Sequence, residues 1–155
     1  MFAASQAISL LKRLRRLSPQ ELGLLLQAWP VLAGVRVVMK TLPGPALTRM
    51  AQPLTKGRGE THPDLKRLAW AIKTAGRFLP GGKHCLSQAV ALKALAATRG
   101  QDLQIELGVL KRDGEVLAHA WIECGGSVLL GNRADLDQFE RITPPMFRSS
   151  GTRVE

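Results

Sequence analysis

The sequence predicts an α+β fold, with helices first and a small antiparallel sheet after them. Three observations carry this. Apolar residues recur at helical spacing through the first hundred positions, and beyond Arg99-Gly100 the period switches to two. Between two alternating runs stands Asp113-Gly114, a strong signal for a tight hairpin turn.

The elements follow in order. Residues 5–17 set Ile8, Leu11, Leu14 and Leu17 at near-helical spacing, with Lys12, Arg13, Arg15 and Arg16 between them. Ser18-Pro19-Gln20-Glu21 matches a capping box with proline at the first helical position, so a second helix should start near Pro19. Pro30 is expected to kink or interrupt that helix before its apolar pattern resumes toward Met39. The uncharged run 22–35 is 14 residues long and ends at Arg36. A membrane span needs about 20 apolar residues, so the run predicts a buried or interfacial helix and no transmembrane segment.

Residues 41–63 carry Pro43, Pro45, Pro53, Gly57, Gly59 and Pro63 and read as a linker or surface loop. A clean amphipathic helix comes next, with Leu65, Leu68, Ala69, Ile72, Ala75 and Leu79 on one face and Asp64 at its start. After Pro80-Gly81-Gly82, a run from Cys85 to about Thr98 is apolar on most sides, the mark of a central helix. Leu103, Ile105, Leu107 and Val109 alternate in a first strand; 115–123 form the return strand, and Val128-Leu129-Leu130 a short third one after Gly125-Gly126. The tail beyond Pro144-Pro145 reads as loosely structured.

At 155 residues, 45% apolar and 22% charged, the chain is long enough to bury one core. It divides into a basic helical region, 1–60, and a second region, 61–155, joined in one compact unit. Two cysteines make no disulfide framework and no signal-peptide pattern is visible, which predicts a cytoplasmic chain with Cys85 as a free thiol. Net charge is +10, unevenly spread. Residues 1–84 hold 14 Lys/Arg against 3 Asp/Glu, a balance of +11, whereas residues 85–155 hold 8 against 9, a balance of −1. The basic half points to an acidic partner (peptide, protein, membrane surface or nucleic acid) or to a solvated helical surface.

The chemistry concentrates in two residues. Cys85 opens a helix, where the dipole and free N–H groups favour a thiolate and can bind an oxyanion. His119 lies within Leu117-Ala118-His119-Ala120-Trp121-Ile122-Glu123, on a strand rigid enough to hold a base. The competing reading makes Cys85 a small core residue and His119 a half-buried histidine beside Trp121. Cys124, on the opposite strand parity from His119, reads as packing, and His62 and His84 lack an element to hold them. For the group that orients the imidazole, Asn132 is the first candidate and Asp135 the second; Gln88 is a candidate oxyanion donor. No Gly-rich phosphate loop, Cys-x-x-Cys or His-Glu-x-x-His occurs, so neither cofactor nor metal is implied. Tyrosine is absent and four phenylalanines are scattered, which argues against a nucleic-acid stacking platform.

Cys85-Leu86-x-Gln88-Ala89-x-Ala91-Leu92, Leu107-Gly108-Val109 and Ala118-His119-Ala120-Trp121-Ile122-Glu123 together resemble the lasso-peptide leader peptidases. Those proteins are the stand-alone peptidase half of a split maturation protein, with a transglutaminase-like core. The basic, Leu-rich start with Leu17-Ser18-Pro19-x-Glu21 is similar as well. The resemblance implies that 61–155 is a transglutaminase-like cysteine peptidase core that removes the leader from a ribosomally made precursor peptide. Cys85 would be the nucleophile and His119 the base. The aspartate that the family carries after the histidine falls here on Gly131 and Asn132. The implied partners are the precursor, a leader-binding protein and an asparagine-synthetase-like cyclase that closes the macrolactam. Two alternatives stand beside it: an acyl transferase with the same nucleophile, and a non-catalytic basic adaptor that binds peptide.

Overall fold

The computed structural model describes residues 17–41, 63–79 and 85–142. Three helices, α1 (Pro19–Thr41), α2 (Pro63–Phe78) and α3 (Cys85–Ala97), precede four strands: β1 (Ile105–Arg112), β2 (Glu115–Cys124), β3 (Ser127–Leu130) and β4 (Glu140–Arg141). The fold is α+β, with the Cys-bearing helix packed on a small antiparallel sheet. The helix expected over 5–17, the loop 41–63 (from 42 to 62), the Pro80-Gly81-Gly82 breaker and the tail from 143 lie outside the described residues.

α1 starts where its capping box places it. The Ser18 amide and hydroxyl both donate to Glu21 Oε2, at 2.8 and 2.9 Å, and the Glu21 amide donates to Ser18 Oγ at 3.2 Å. These bonds satisfy donors that every helix start leaves open. They also lower the pKa of the Glu21 carboxyl, the Ser18 amide acting most strongly. Of the kink or interruption expected at Pro30, the interruption does not occur: the helix runs through that residue. Pro30 and Leu26, the residue one turn before whose carbonyl loses its donor, both lie on the exposed side, where water can take the freed acceptor.

α2 buries Leu65, Leu68, Ala69, Ile72 and Ala75 as its periodicity predicts, together with Ala71. α3 is buried nearly all round, through Ser87, Ala89, Val90, Ala91, Leu92, Lys93, Leu95 and Ala96. With Ala28 and Leu32 of α1, Ile105 of β1, Ala120, Ile122 and Cys124 of β2 and Leu130 of β3, these residues make one apolar core. Cys124 is thus a packing residue.

Lys93 is a buried charge beside that core, which the sequence does not predict. Its ammonium lies 3.7 Å from the Asp102 carboxylate, just past the end of α3. Burial lowers its pKa, and Asp102 opposes the shift. A base whose folded pKa is depressed adds stability as pH rises from that lowered value toward the ordinary lysine range.

The sheet order is β3-β2-β1-β4, antiparallel throughout. Asp113 and Gly114 both take positive φ, 53° and 80°, the geometry of the tight β1–β2 turn that the sequence signals. The 3₁₀ turn Leu136–Gln138 and the two-residue β4, which pairs with Gly108 and Val109, have no periodic signal to announce them.

Two substitutions test this account. Ser18→Ala should lower the melting temperature by about 2–4 °C. The loss should shrink in acid, because the cap is complete above the ordinary glutamate pKa and fades as pH falls through the lowered one. Lys93→Met should cost about 2–4 kcal/mol in urea unfolding by leaving the Asp102 carboxylate without its cation. Asp102→Asn in the same background should return part of that loss.

Candidate active site

Residues 120–122 of β2 are buried on both faces of the sheet. Ala120 and Ile122 face the helices. Trp121 is outside that core and groups with His119 and Phe139. The His119 and Trp121 rings are stacked, 6.1 Å between centroids and 16° between planes; Phe139 tilts against the imidazole at 5.6 Å.

Trp121 is pinned from several sides. Its indole N–H donates to Glu123 Oε1 at 2.9 Å, and the Arg141 guanidinium lies 5.4 Å over its ring while donating to the same carboxylate oxygen at 2.7 Å. Across the ladder, Gly108 pairs with His119. A Cβ at Gly108 would come within 2.9 Å of the Trp121 ring and 3.0 Å of Phe139 Cβ. The glycine of Leu107-Gly108-Val109 and the tryptophan and glutamate of the β2 block therefore build one shelf under the imidazole.

His119 Nε2 is 2.6 Å from the carbonyl oxygen of Gly131. A carbonyl can only accept, so Nε2 carries the proton and donates. In the neutral ring the free lone pair is then on Nδ1, the nitrogen available as a base. Gly131 is shaped for this position. Its φ is +84°, and a Cβ there would lie 2.7 Å from the Ala120 carbonyl oxygen and 2.8 Å from Trp121 Cβ.

The orienting bond expected from Asn132 is made by the backbone one residue earlier. Asn132 is exposed and makes no hydrogen bond to His119 among the described residues. Asp135 is committed elsewhere. It takes both Nε and Nη2 of Arg133, at 2.9 and 3.1 Å, and lies 3.6 Å from Arg112. The Arg133 hydrogen bond is the main reason its carboxyl pKa is lowered.

Cys85 is the first residue of α3 and is half-buried, with Leu86, against the core. No hydrogen bond joins its thiol to His119 among the described residues. The Arg133 guanidinium rests 5.3 Å over the Phe139 ring that touches His119. The proton affinity of Arg133 is raised chiefly by its hydrogen bond to Asp135. Gln88, one turn into α3, lies against α2, where a Cβ on Gly76 would overlap its amide.

A half-buried cysteine at a helix N-terminus and a histidine with a fixed tautomer are the parts of a thiol nucleophile and its base. The family profile described as Transglutaminase-like superfamily matches residues 29–143, a stretch that contains both. The chain belongs to the transglutaminase-like superfamily. The superfamily generally holds cysteine-dependent enzymes, and a transglutaminase-like domain fits a cysteine peptidase or an acyl transferase. No curated protein and no solved structure matches the chain.

Sequence reasoning had named Cys85, His119, Asn132 and Asp135. It missed the Gly131 carbonyl, because a backbone acceptor leaves no side-chain signature, and it missed Arg133 and Phe139, which lie in an irregular segment. If the Gly131 carbonyl holds the imidazole, Gly131→Ala should destabilise the chain by about 2–4 kcal/mol through strain and overlap. It should also reduce any His119-dependent turnover far more than Asn132→Ala, which should stay within about threefold of the parent in kcat/KM.

Proposed function

We propose that this transglutaminase-like protein is a cysteine peptidase that removes the leader from a ribosomally synthesised lasso-peptide precursor. The observation that carries the peptidase part is the His119 Nε2 bond to the Gly131 carbonyl, which leaves Nδ1 as the proton acceptor for a thiol at a helix N-terminus. The lasso-peptide part rests on the likeness of the Cys85, Gly108 and His119–Glu123 motifs to that family.

In this reading Cys85 Sγ attacks the carbonyl carbon at the leader–core junction while its proton passes to His119 Nδ1. The backbone N–H groups at the start of α3 face the developing oxyanion. Collapse breaks the C–N bond, and the proton goes from His119 to the departing amine, which is the new amino terminus of the core. The leader remains as a thioester on Cys85. Water then attacks that thioester with His119 as base, releasing the leader carboxylate and restoring the thiol. In this reading the thiol and the imidazole come into hydrogen-bond contact once substrate is seated, since catalytic hydrogen bonds are often long before it binds. On the same reading the Gly131 carbonyl takes the third position of the triad, in place of the Asn132 side chain.

A leader-binding protein would deliver the precursor, and the asparagine-synthetase-like cyclase would consume the freed core, all in the cytoplasm. Superfamily membership also supports the acyl-transfer reading, in which an amine replaces water on the same thioester. The test is mass spectrometry of candidate precursors incubated with the chain, with and without the leader-binding protein. The expected products are leader and core whose masses together exceed the precursor by one water. Cys85→Ala should abolish them, and His119→Gln should lower the rate by about a hundredfold or more. Joined products would favour transfer. Leader binding without any cleavage would leave the basic adaptor.

A further inference from the structure

α1 is rich in apolar residues on more than one side, yet of its 23 residues only Ala28 and Leu32 are buried. Leu22, Leu26, Trp29 and Val37 are 42, 69, 50 and 61% exposed and fall in one stripe along the helix. α2 exposes Trp70 and Phe78 as well. Exposed apolar faces of this kind mark an interaction surface.

Charge decides among the occupants. Lys40 on α1 and Lys66, Arg67, Lys73 and Arg77 on α2 are exposed, and residues 1–84 carry +11 against −1 for the rest. A second copy would bring the same positive charge to the contact and be repelled. An anionic surface would be attracted. Among the described residues α1 is the one helix long and apolar enough to cross a membrane. Its uncharged stretch, however, is only 14 residues, bounded by Glu21 and Arg36, and its other face is packed in the protein core. Exposed apolar side chains and a tryptophan on a helix of a strongly basic region are the composition of a helix that lies in a bilayer interface.

We infer that the outer face of α1, drawn by the positive charge of the N-terminal half, docks the protein on an anionic lipid surface, lying in the interface and not crossing it. This is independent of the peptidase reading, since Cys85 and His119 take no part in it.

The test is sedimentation of the full chain with phosphatidylcholine vesicles, with and without one-quarter phosphatidylglycerol. Binding is expected with the anionic vesicles, weakened at high salt and slight with phosphatidylcholine alone. Leu26→Gln with Val37→Gln should reduce partitioning by at least about tenfold while the far-ultraviolet spectrum is kept, because both side chains are exposed. In the unsubstituted chain, brominated lipid in the anionic vesicles should quench tryptophan emission, a readout that needs no variant. Alkaline carbonate should release the protein.

Failure to bind or be quenched, equal binding to neutral vesicles, or equal binding by a folded double variant would each overturn the proposal. A carbonate-resistant pellet would do so in favour of a span. Loss of leader-binding-protein capture by the double variant, with no vesicle binding by the parent, would do so in favour of a protein partner.

Discussion

The geometry around His119 depends on two places where the chain can approach Trp121 only because a side chain is missing. Gly108 lets the indole lie flat across β1, and Gly131 lets the segment after β3 pass against the Trp121 backbone. Both approaches are tighter than any other residue would allow. Together they set the depth of the indole, and the indole sets the plane of the imidazole stacked on it. The Gly131 carbonyl then has one direction in which to point. The Glu123 and Arg141 side chains hold the far edge of the same ring, so the shelf is braced at its polar end as well. A base whose tautomer is fixed by a backbone atom owes little to any single neighbouring side chain. That explains how the site can lack a carboxylate or amide on the imidazole.

Cys85 is placed by different means. α3 is apolar on nearly every side, so it can only sit in the middle, between α1 and α2 on one side and the sheet on the other. Central burial fixes its axis, and the N-terminus emerges half-buried with Cys85 as its first residue. Lys93, deep on the same helix, is tolerated because Asp102 follows directly after the turn that ends it. Arg133, on the histidine side, is anchored by Asp135 and by the face of Phe139.

What the sequence made legible was whatever local rules govern. The Ser18–Glu21 cap, the apolar face of α2, the Asp113-Gly114 turn and the parity that separates His119 from Cys124 are short-range patterns, and all are present in the fold. The features that escaped depend on tertiary partners. Pro30 reads as a break, but the cost is one hydrogen bond on an exposed face, which packing at Ala28 and Leu32 overrides. β4 is two residues long and exists only because β1 offers an edge. Asn132 has the right side chain, yet its neighbour's carbonyl occupies the place. A buried lysine cannot be told from an exposed one until Asp102 is seen beside it.

The hairpin geometry bears on how the protein comes together. His119, its shelf residues and its carbonyl partner all fall within 108–141, gathered by two tight turns and a short return to the sheet edge. Closing such short loops costs little chain entropy. Cys85 comes from a helix that must be seated against α1 and α2, which are themselves separated by a long connection. The histidine half can therefore organise from local contacts, while the cysteine half waits for the helices to dock. Mild denaturant that loosens the docking of α3 should separate Cys85 from His119 while much of the hairpin persists. Whatever chemistry the proposed pair performs would then be lost ahead of sheet structure.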